Sequence, residues 1–254
     1  MSKNKRKNPR EIWVVLPTYN EAENLPPMLD ALLSLDLALK IIVVDDASPD
    51  GTGEIAERAA LGNSRIQVIR RIGERGLGTA YLAGFRLALA ADDGVDAILT
   101  MDCDFSHDPA AIPALVEALD SADVVVGSRY VAGGGTRNWG FHRKILSASA
   151  NRFARALFRL PVRDCTSGFR LYRREVLEAV PWQRVRSTGY AFLVETLHLA
   201  ARRANARVKE APIQFADRTR GSTKMGLREV AVGVINLLRL KADLFRNQRD
   251  GESD

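Results

Sequence analysis

Carboxylates follow short apolar runs at three places in this 254-residue sequence, and acids so placed can bind cations or polar ligands. The last of the three is Asp102-Cys103-Asp104, followed by Ser106 and His107. In an extended segment Asp102 and Asp104 point the same way, so both can reach one hard cation, Mg²⁺ or Mn²⁺. Such a metal would bridge diphosphate oxygens and neutralise charge developing on a leaving nucleoside diphosphate. A D-x-D string alone is a weak signal, and its position after an apolar strand gives it weight. His107 reads as a turn residue rather than a ligand. The second group is Asp45, Asp46 and Asp50 in DDASPDG, where Asp50 suits a helix cap. Asp45 and Asp46 look like acceptors for ribose hydroxyls or base N–H groups. The first is PTYNE, Pro17 to Glu21, where Glu21 fits either a ligand role or the first turn of a helix, complementing its dipole. Arg129 in GSRY is placed to engage phosphate oxygens, or is a plain surface arginine. GERGLG, residues 73–78, fits neither a dinucleotide fingerprint nor a P-loop and reads as a turn.

The elements needed to hold these residues at one edge are visible as apolar runs: 12–16, 40–45, 65–70, 96–102 and 123–127. Helical periodicity starts near Glu21, Gly51, Leu77 and Pro109 between them. The alternation predicts an α/β fold with a mostly parallel central sheet and helices on both faces. In such sheets ligands bind beyond the carboxyl ends of the strands, where the acids lie. Beyond 127 come a glycine-rich loop at 133–135, a basic helix and a turn at DCTSGF. A helix from about Tyr190 to Arg203, a strand RVKEAPIQF, and a long helix from about Met225 to Arg246 follow.

Composition bounds the function. The net charge is +6, with 46% hydrophobic and 27% charged residues, which suits a globular chain with an acidic partner. No run approaches the ~18 apolar residues of a spanning helix. MSKNKRKNPR is basic but lacks an apolar stretch behind it, so no secretory leader is expected and a cytoplasmic location follows. Cys103 and Cys165 are too few and too far apart for a disulfide framework or a zinc site. The expected organisation is a basic disordered arm at 1–10, a catalytic domain at 11–222, an amphipathic helix at 223–246 and a polar tail at 247–254.

PTYNE, DDASPDG, DCD and GSRY in this order, with GLGTAY, RKILS, TSGFRLYR and DRTRGSTK, resemble the family-two glycosyltransferases. Within them the match is to the dolichol-phosphate mannosyltransferases, known in bacteria as polyprenol-monophosphomannose synthases. The resemblance covers about residues 11–240 and implies a GT-A type nucleotide-diphospho-sugar transferase fold. It implies that Pro17, Tyr19, Glu21, Val44 and Asp46 hold the guanosine of GDP-mannose, and that Asp102, Cys103 and Asp104 meet ribose, diphosphate and metal. By the same likeness Arg129, Arg218 and Lys224 grip phosphates, Arg143 and Ser147 meet the phosphate of a polyprenyl phosphate acceptor, and Glu195 is an acid near the site. Two departures stand out: Cys103 where alanine is usual, and Leu193 where relatives often carry glutamine, which leaves the surroundings of Glu195 open.

A phosphate acceptor is already ionised near neutral pH, so the implied chemistry is one displacement with inversion and no covalent sugar–enzyme intermediate. On residues 143–160, Ile145, Ser149, Phe153, Ala156, Leu157 and Leu160 share an arc beside a basic stripe of Lys144, Arg152, Arg155 and Arg159. Such a helix either packs with its basic face solvated or meets an anionic membrane surface, here the cytoplasmic face. The terminal helix has the same character, and a separate membrane-protein partner is compatible with it. A UDP-glucose-dependent polyprenyl-phosphate glucosyltransferase would use nearly the same framework. A non-catalytic module binding nucleotide sugars or nucleic acid is the reading from another class, and the intact acid set speaks against it.

Overall fold

The computed structural model describes residues 11–91, 94–182, 185, 187–202, 204–216 and 227–250, with side chains described for all but 227–231 and 244–250. The 1–10 arm, the 222/223 boundary, Arg218 and Lys224 lie outside the described residues.

Apolar, β-branched runs form β1 (Ile12–Thr18), β2 (Leu39–Asp45), β3 (Ile66–Arg70), β4 (Ala97–Thr100) and β5 (Val124–Ser128). Two further strands, β7 (Arg170–Arg173) and β8 (Val208–Pro212), complete a seven-stranded sheet of order β3-β2-β1-β4-β7-β5-β8. Pairing is parallel except on both sides of β7. A small second sheet pairs β6 (Gly135–Arg137) with β9 (Gln214–Ala216), so the stretch RVKEAPIQF serves two sheets rather than one strand.

Alternation along β1 sends Ile12, Val14 and Leu16 to one core and Trp13 and Val15 to the other. The first core is closed by α1 (Leu25–Leu33), α2 (Thr52–Gly62) and α4 (Ile112–Leu119), which follows the short 3₁₀ turn Pro109–Ala111. The second is closed by α3 (Leu77–Ala90), α5 (Phe141–Phe158), α6 (Arg174–Ala179), α7 (Gly189–Arg202) and α8 (Leu227–Asp250). Helices therefore cover both faces, and α8 runs past the Arg246 where periodicity ends it. The α3 contact is close: a Cβ on Gly84 would lie 2.3 Å from Val15 Cγ1 on the central strand. Gly84→Ala gains up to ~1 kcal/mol of helix propensity but overpacks this contact at a cost of about 1–3 kcal/mol. A net fall in the denaturation midpoint is expected.

β7 has no counterpart in the sequence reading because two of its four residues are arginines. Both are buried. Arg170 is solvated by the protein: Nε donates to Ser167 O at 2.8 Å, Nη1 to Leu193 O at 2.7 Å and Nη2 to Cys165 O at 2.8 Å. Arg173 donates to Leu119 O and Ala122 O at the end of α4, where a cation also complements the helix dipole. Chain carbonyls thus take the place of water around each guanidinium.

Candidate active site

The carboxyl ends of β1, β2 and β4 lie at one edge, as their parallel register requires. β4 ends at Thr100 because its ladder with β7 stops there. Asp102 and Asp104 consequently sit in a bend, not in the extended strand expected from alternation. Two contacts build that bend: the Asp102 N–H donates to His107 Nδ1 at 2.9 Å, and the Ser106 N–H donates to Asp104 Oδ1 at 3.0 Å. His107 is buried, stacks on Phe169 at 5.0 Å, and is held below its usual pKa by burial against the pull of Asp102 and Asp104. It is a neutral ring with the remaining proton on Nε2, and its role is to brace the acid segment.

The Tyr81 hydroxyl donates to Asp102 Oδ1 at 3.3 Å. Burial, then the Asp102 charge, push that phenol well above its ordinary pKa, so it stays a donor. Asp104 is 3% exposed. Burial and the neighbouring Glu21, Asp104 and Asp102 carboxylates raise the Cys103 thiol well above its usual value. Cys103 is therefore an uncharged core side chain among Met101 and Phe169, and any substrate contact there falls to its backbone.

Asp102, Asp104, Ser106, Arg129, Trp139 and Arg143 line one cavity of about 280 Å³. A larger cavity of about 570 Å³ lies between α3 and α6, lined by Phe85, Leu89, Val180 and Trp182 among others. It contains none of the sequence-predicted residues, so the convergence of charged groups places the site at the smaller one. Gly168 also lines that smaller cavity, and a Cβ there would lie 3.3 Å from Tyr81 Oη and 3.8 Å from Asp102 Oδ1. The absence of a side chain keeps the carboxylate reachable.

Among the described residues no three His, Cys, Asp or Glu side chains form a complete metal cage. Mg²⁺-type ions commonly take one or two carboxylates and fill the rest of the shell with water and substrate phosphates. Asp102, Asp104 and the Ser106 Oγ, which is buried without a hydrogen-bond partner among the described residues, supply oxygens of the type such an ion prefers.

Arg129 is 9% exposed and held by Asp164 through Nε at 2.7 Å and Nη2 at 2.6 Å. Nη2 also reaches Thr166 Oγ1 at 2.9 Å. Burial alone would lower the guanidinium pKa; Asp164 outweighs it and the net shift is upward. Of five N–H donors, the two on Nη1 make no bond to a described residue. Asn151 ties the turn carrying Asp164 to α5, accepting from the Cys165 and Thr166 amides and donating to Thr166 Oγ1. Ser147 accepts from the Tyr130 hydroxyl at 2.7 Å.

Other sequence-predicted residues lie outside this cavity. Asp45 is fully buried and occupied by Thr18, Ser48 and Arg70, so it knots loops together instead of offering itself to a ligand. Asp46 Oδ1 accepts from Arg71 Nε and Nη2, and Oδ2 from the Gly76 N–H; Oδ2 keeps one further lone pair. Val44 is a core residue. Pro17 is half-buried, while Tyr19 is exposed beneath the Arg75 guanidinium at 4.4 Å. Glu21 accepts from Asn24 Nδ2 at 2.6 Å; Gly51, not Asp50, takes the N-cap position of α2, and Asp50 just ahead of it accepts from the Thr52 N–H and hydroxyl and from the Ala22 N–H. Glu195 is buried and accepts from the Ser187 N–H; Leu193, not Glu195, reaches the cavity wall. Sequence reasoning assigned no role to Asp164, Thr166, Asn151, Tyr81, Arg71 or Trp139. The DCTSGF turn is a signal for Asp164 and Thr166, and Thr166 also opens the TSGFRLYR motif that carries the resemblance.

A second, apolar crevice of about 60 Å³ lies between α5, α7 and α8, lined by Leu146, Ala150, Val194, Val234 and Leu237. It shares Arg129, Thr166 and Tyr190 with the polar cavity. On α5 the buried face is Ser147, Asn151, Ala154 and Phe158. The apolar arc seen in the sequence is thus only partly used for packing. Phe141, Ile145, Tyr190, Val232, Ile235 and Leu238 are exposed on α5, α7 and α8.

The glycosyl transferase family 2 model matches residues 13–180. The chain is 40% identical over 228 residues to an undecaprenyl-phosphate mannosyltransferase of Micrococcus luteus, covering 90% of this chain and 93% of that one. It is 43% identical over 214 residues to a polyprenol monophosphomannose synthase of Mycolicibacterium smegmatis, covering 84% and 80%. Among solved structures, a mannosyltransferase from Pyrobaculum calidifontis in complex with GDP-mannose and Mn²⁺ superposes with TM-score 0.54 at 18% identity, over 88% of this chain and 60% of that one.

Proposed function

The chain belongs to glycosyl transferase family 2, and on that premise we propose that this GT-A glycosyltransferase moves mannose from GDP-mannose to a polyprenyl monophosphate with inversion. One observation carries the reading: a polar cavity holding two carboxylates and two guanidiniums shares a wall with an apolar crevice. A substrate with an anionic head and a hydrocarbon tail fits such a junction. The relatives' names supply mannose and the polyprenyl phosphate, and the complex named above supplies GDP-mannose and Mn²⁺ as the donor and metal to test.

In this reading Asp102 and Asp104, with Ser106 beside them, hold Mg²⁺ or Mn²⁺. When bound, that ion would withdraw charge from the departing diphosphate. Pro17, Tyr19, Glu21, Asp46 and the backbones of Val44 and Cys103 hold the nucleoside and ribose. Arg129 through Nη1, Arg143, and by resemblance Arg218 and Lys224, hold phosphates, and Ser147 lies beside the acceptor. A phosphate monoester has a second pKa of ~6, so no general base is needed. An acceptor oxygen forms the bond to the anomeric carbon as the bond to the donor diphosphate breaks, and GDP leaves with the electron pair. The protein's task is orientation of two anions that repel each other.

The exposed apolar residues of α5 and α8, flanked by exposed Lys144, Arg152, Arg155 and Arg239, suit peripheral contact with an anionic membrane. None of the described helices is long and apolar enough to cross a membrane. A separate membrane protein could share this face, on the cytoplasmic side.

Labelled GDP-mannose, with UDP-glucose in parallel, incubated with a short polyprenyl phosphate in detergent and Mg²⁺, tests the proposal. A mannosyl lipid that disappears on chelation is expected. Glucosyl lipid instead would reassign the donor, and product from neither would remove the reading.

A further inference from the structure

Of the three tryptophans in the sequence, two have their indole N–H satisfied within the fold. Trp13 donates to Glu11 Oε1 at 2.7 Å, and Trp182 donates to the Leu177 carbonyl. Trp139 differs from both. It is 6% exposed, lines the polar cavity, and its Nε1–H is buried with no acceptor among the described residues. Buried indole N–H groups ordinarily find a partner, because leaving one unmet sacrifices its hydrogen bond to water. Because Trp139 lines the cavity, a ligand bound there is the candidate for that partner.

The ring is not free to turn away. Trp139 lies between β6 and α5, with the Arg143 guanidinium 4.1 Å above its centroid. Phe215 packs against it edge-to-face at 5.5 Å, and the Arg129 guanidinium is 5.6 Å from it. Two cations against one ring also mark the kind of acceptor that collects there. Anionic oxygens are drawn to the guanidiniums, and an uncharged donor fixed beside them adds direction without adding charge.

We infer that the Trp139 indole N–H donates to a phosphoryl oxygen of a substrate, making Trp139 a substrate-binding residue alongside Arg129 and Arg143. This rests on the transfer reading above and deepens it. Phosphoryl oxygen comes from two sources here, the donor diphosphate and the lipid monophosphate, and the test separates them.

The full chain is labelled with ¹⁵N and its indole N–H signals are followed during titration with GDP and Mg²⁺, and separately with a short polyprenyl phosphate in detergent. Neither probe carries the transferred mannose, and guanosine, which has the ribose and base of GDP but no phosphate, is titrated as a control that should leave the Trp139 signal in place. With one of the two, the Trp139 proton is expected to shift downfield and to exchange more slowly with water, while Trp13 and Trp182 stay in place. Trp139→Phe, which keeps an aromatic ring against Arg143 and Phe215, is expected to weaken binding of that same probe by about 10- to 100-fold, the range for a hydrogen bond to a charged group. If that variant does not fold, Trp13→Phe and Trp182→Phe assign the spectrum and the unsubstituted protein carries the test. No shift with either probe, or unchanged binding of both by Trp139→Phe, overturns the inference. Should transfer persist without a shift, the inference alone falls; should transfer also be absent, the reading beneath it falls too.

Discussion

Asp104→Asn is expected to lower kcat/KM for mannosyl transfer by about 10³-fold or more, equivalent to ~4 kcal/mol of transition-state stabilisation, while the melting temperature stays within a few degrees. The asparagine side-chain oxygen still accepts the Ser106 N–H that shapes the bend, so the local backbone has little reason to move. The full negative charge is lost from a carboxylate only 3% exposed, where water cannot replace it and a divalent cation would be held most strongly. Removing it also relieves repulsion from Asp102, which opposes any loss of stability. Transfer assays across a Mg²⁺ or Mn²⁺ titration, with thermal melts of the same samples, decide the matter. Undiminished transfer in the variant would remove Asp104 from the proposed metal site.

Asp164→Ala should have the larger effect on folding. Its carboxylate is fully buried and accepts three bonds from Arg129, including the backbone N–H at 3.0 Å. Removing one partner of a buried pair leaves an uncompensated charge, which costs about 3–5 kcal/mol. For a chain of this size that is a fall on the order of 10 °C in melting temperature. The double variant Arg129→Met with Asp164→Leu should recover much of the stability, because a buried pair replaced by apolar groups is often neutral. It should not recover transfer, since the cavity loses the Nη1 donors. Melting curves and transfer rates on the three proteins separate the two effects. A double variant as unstable as the single one would contradict this account.

The contrast between Asp104 and Asp164 shows what the sequence made legible. Asp104 follows an apolar run and sits two residues from another acid, so local pattern marks it. Asp164 is 35 residues from the arginine it holds, and no period or neighbouring residue announces that pairing. β1 to β5 were readable because their core-facing residues are apolar. β7 was not, because its buried arginines are solvated by carbonyls from α4, α7 and the 165–167 turn, which only the tertiary fold brings together. The same holds for Trp139, whose significance lies in a bond it does not make. Asp45 and Asp46 show the reverse limit: position suggested ligand acceptors, and the loops around them use most of that capacity.

β5 touches the body of the sheet only through β7, which lies between it and β4. The topology makes one order of assembly the expected one. β1 to β4 join through short βαβ crossovers and can pair as they emerge from the ribosome, but β5 has no berth until residues 170–173 arrive. Arg129, one position beyond β5, has to wait with it. The bend after β4 waits as well, because His107, which accepts from the Asp102 N–H, stacks on Phe169 just ahead of β7; the acid and basic walls of the cavity are therefore completed by the same late segment of chain.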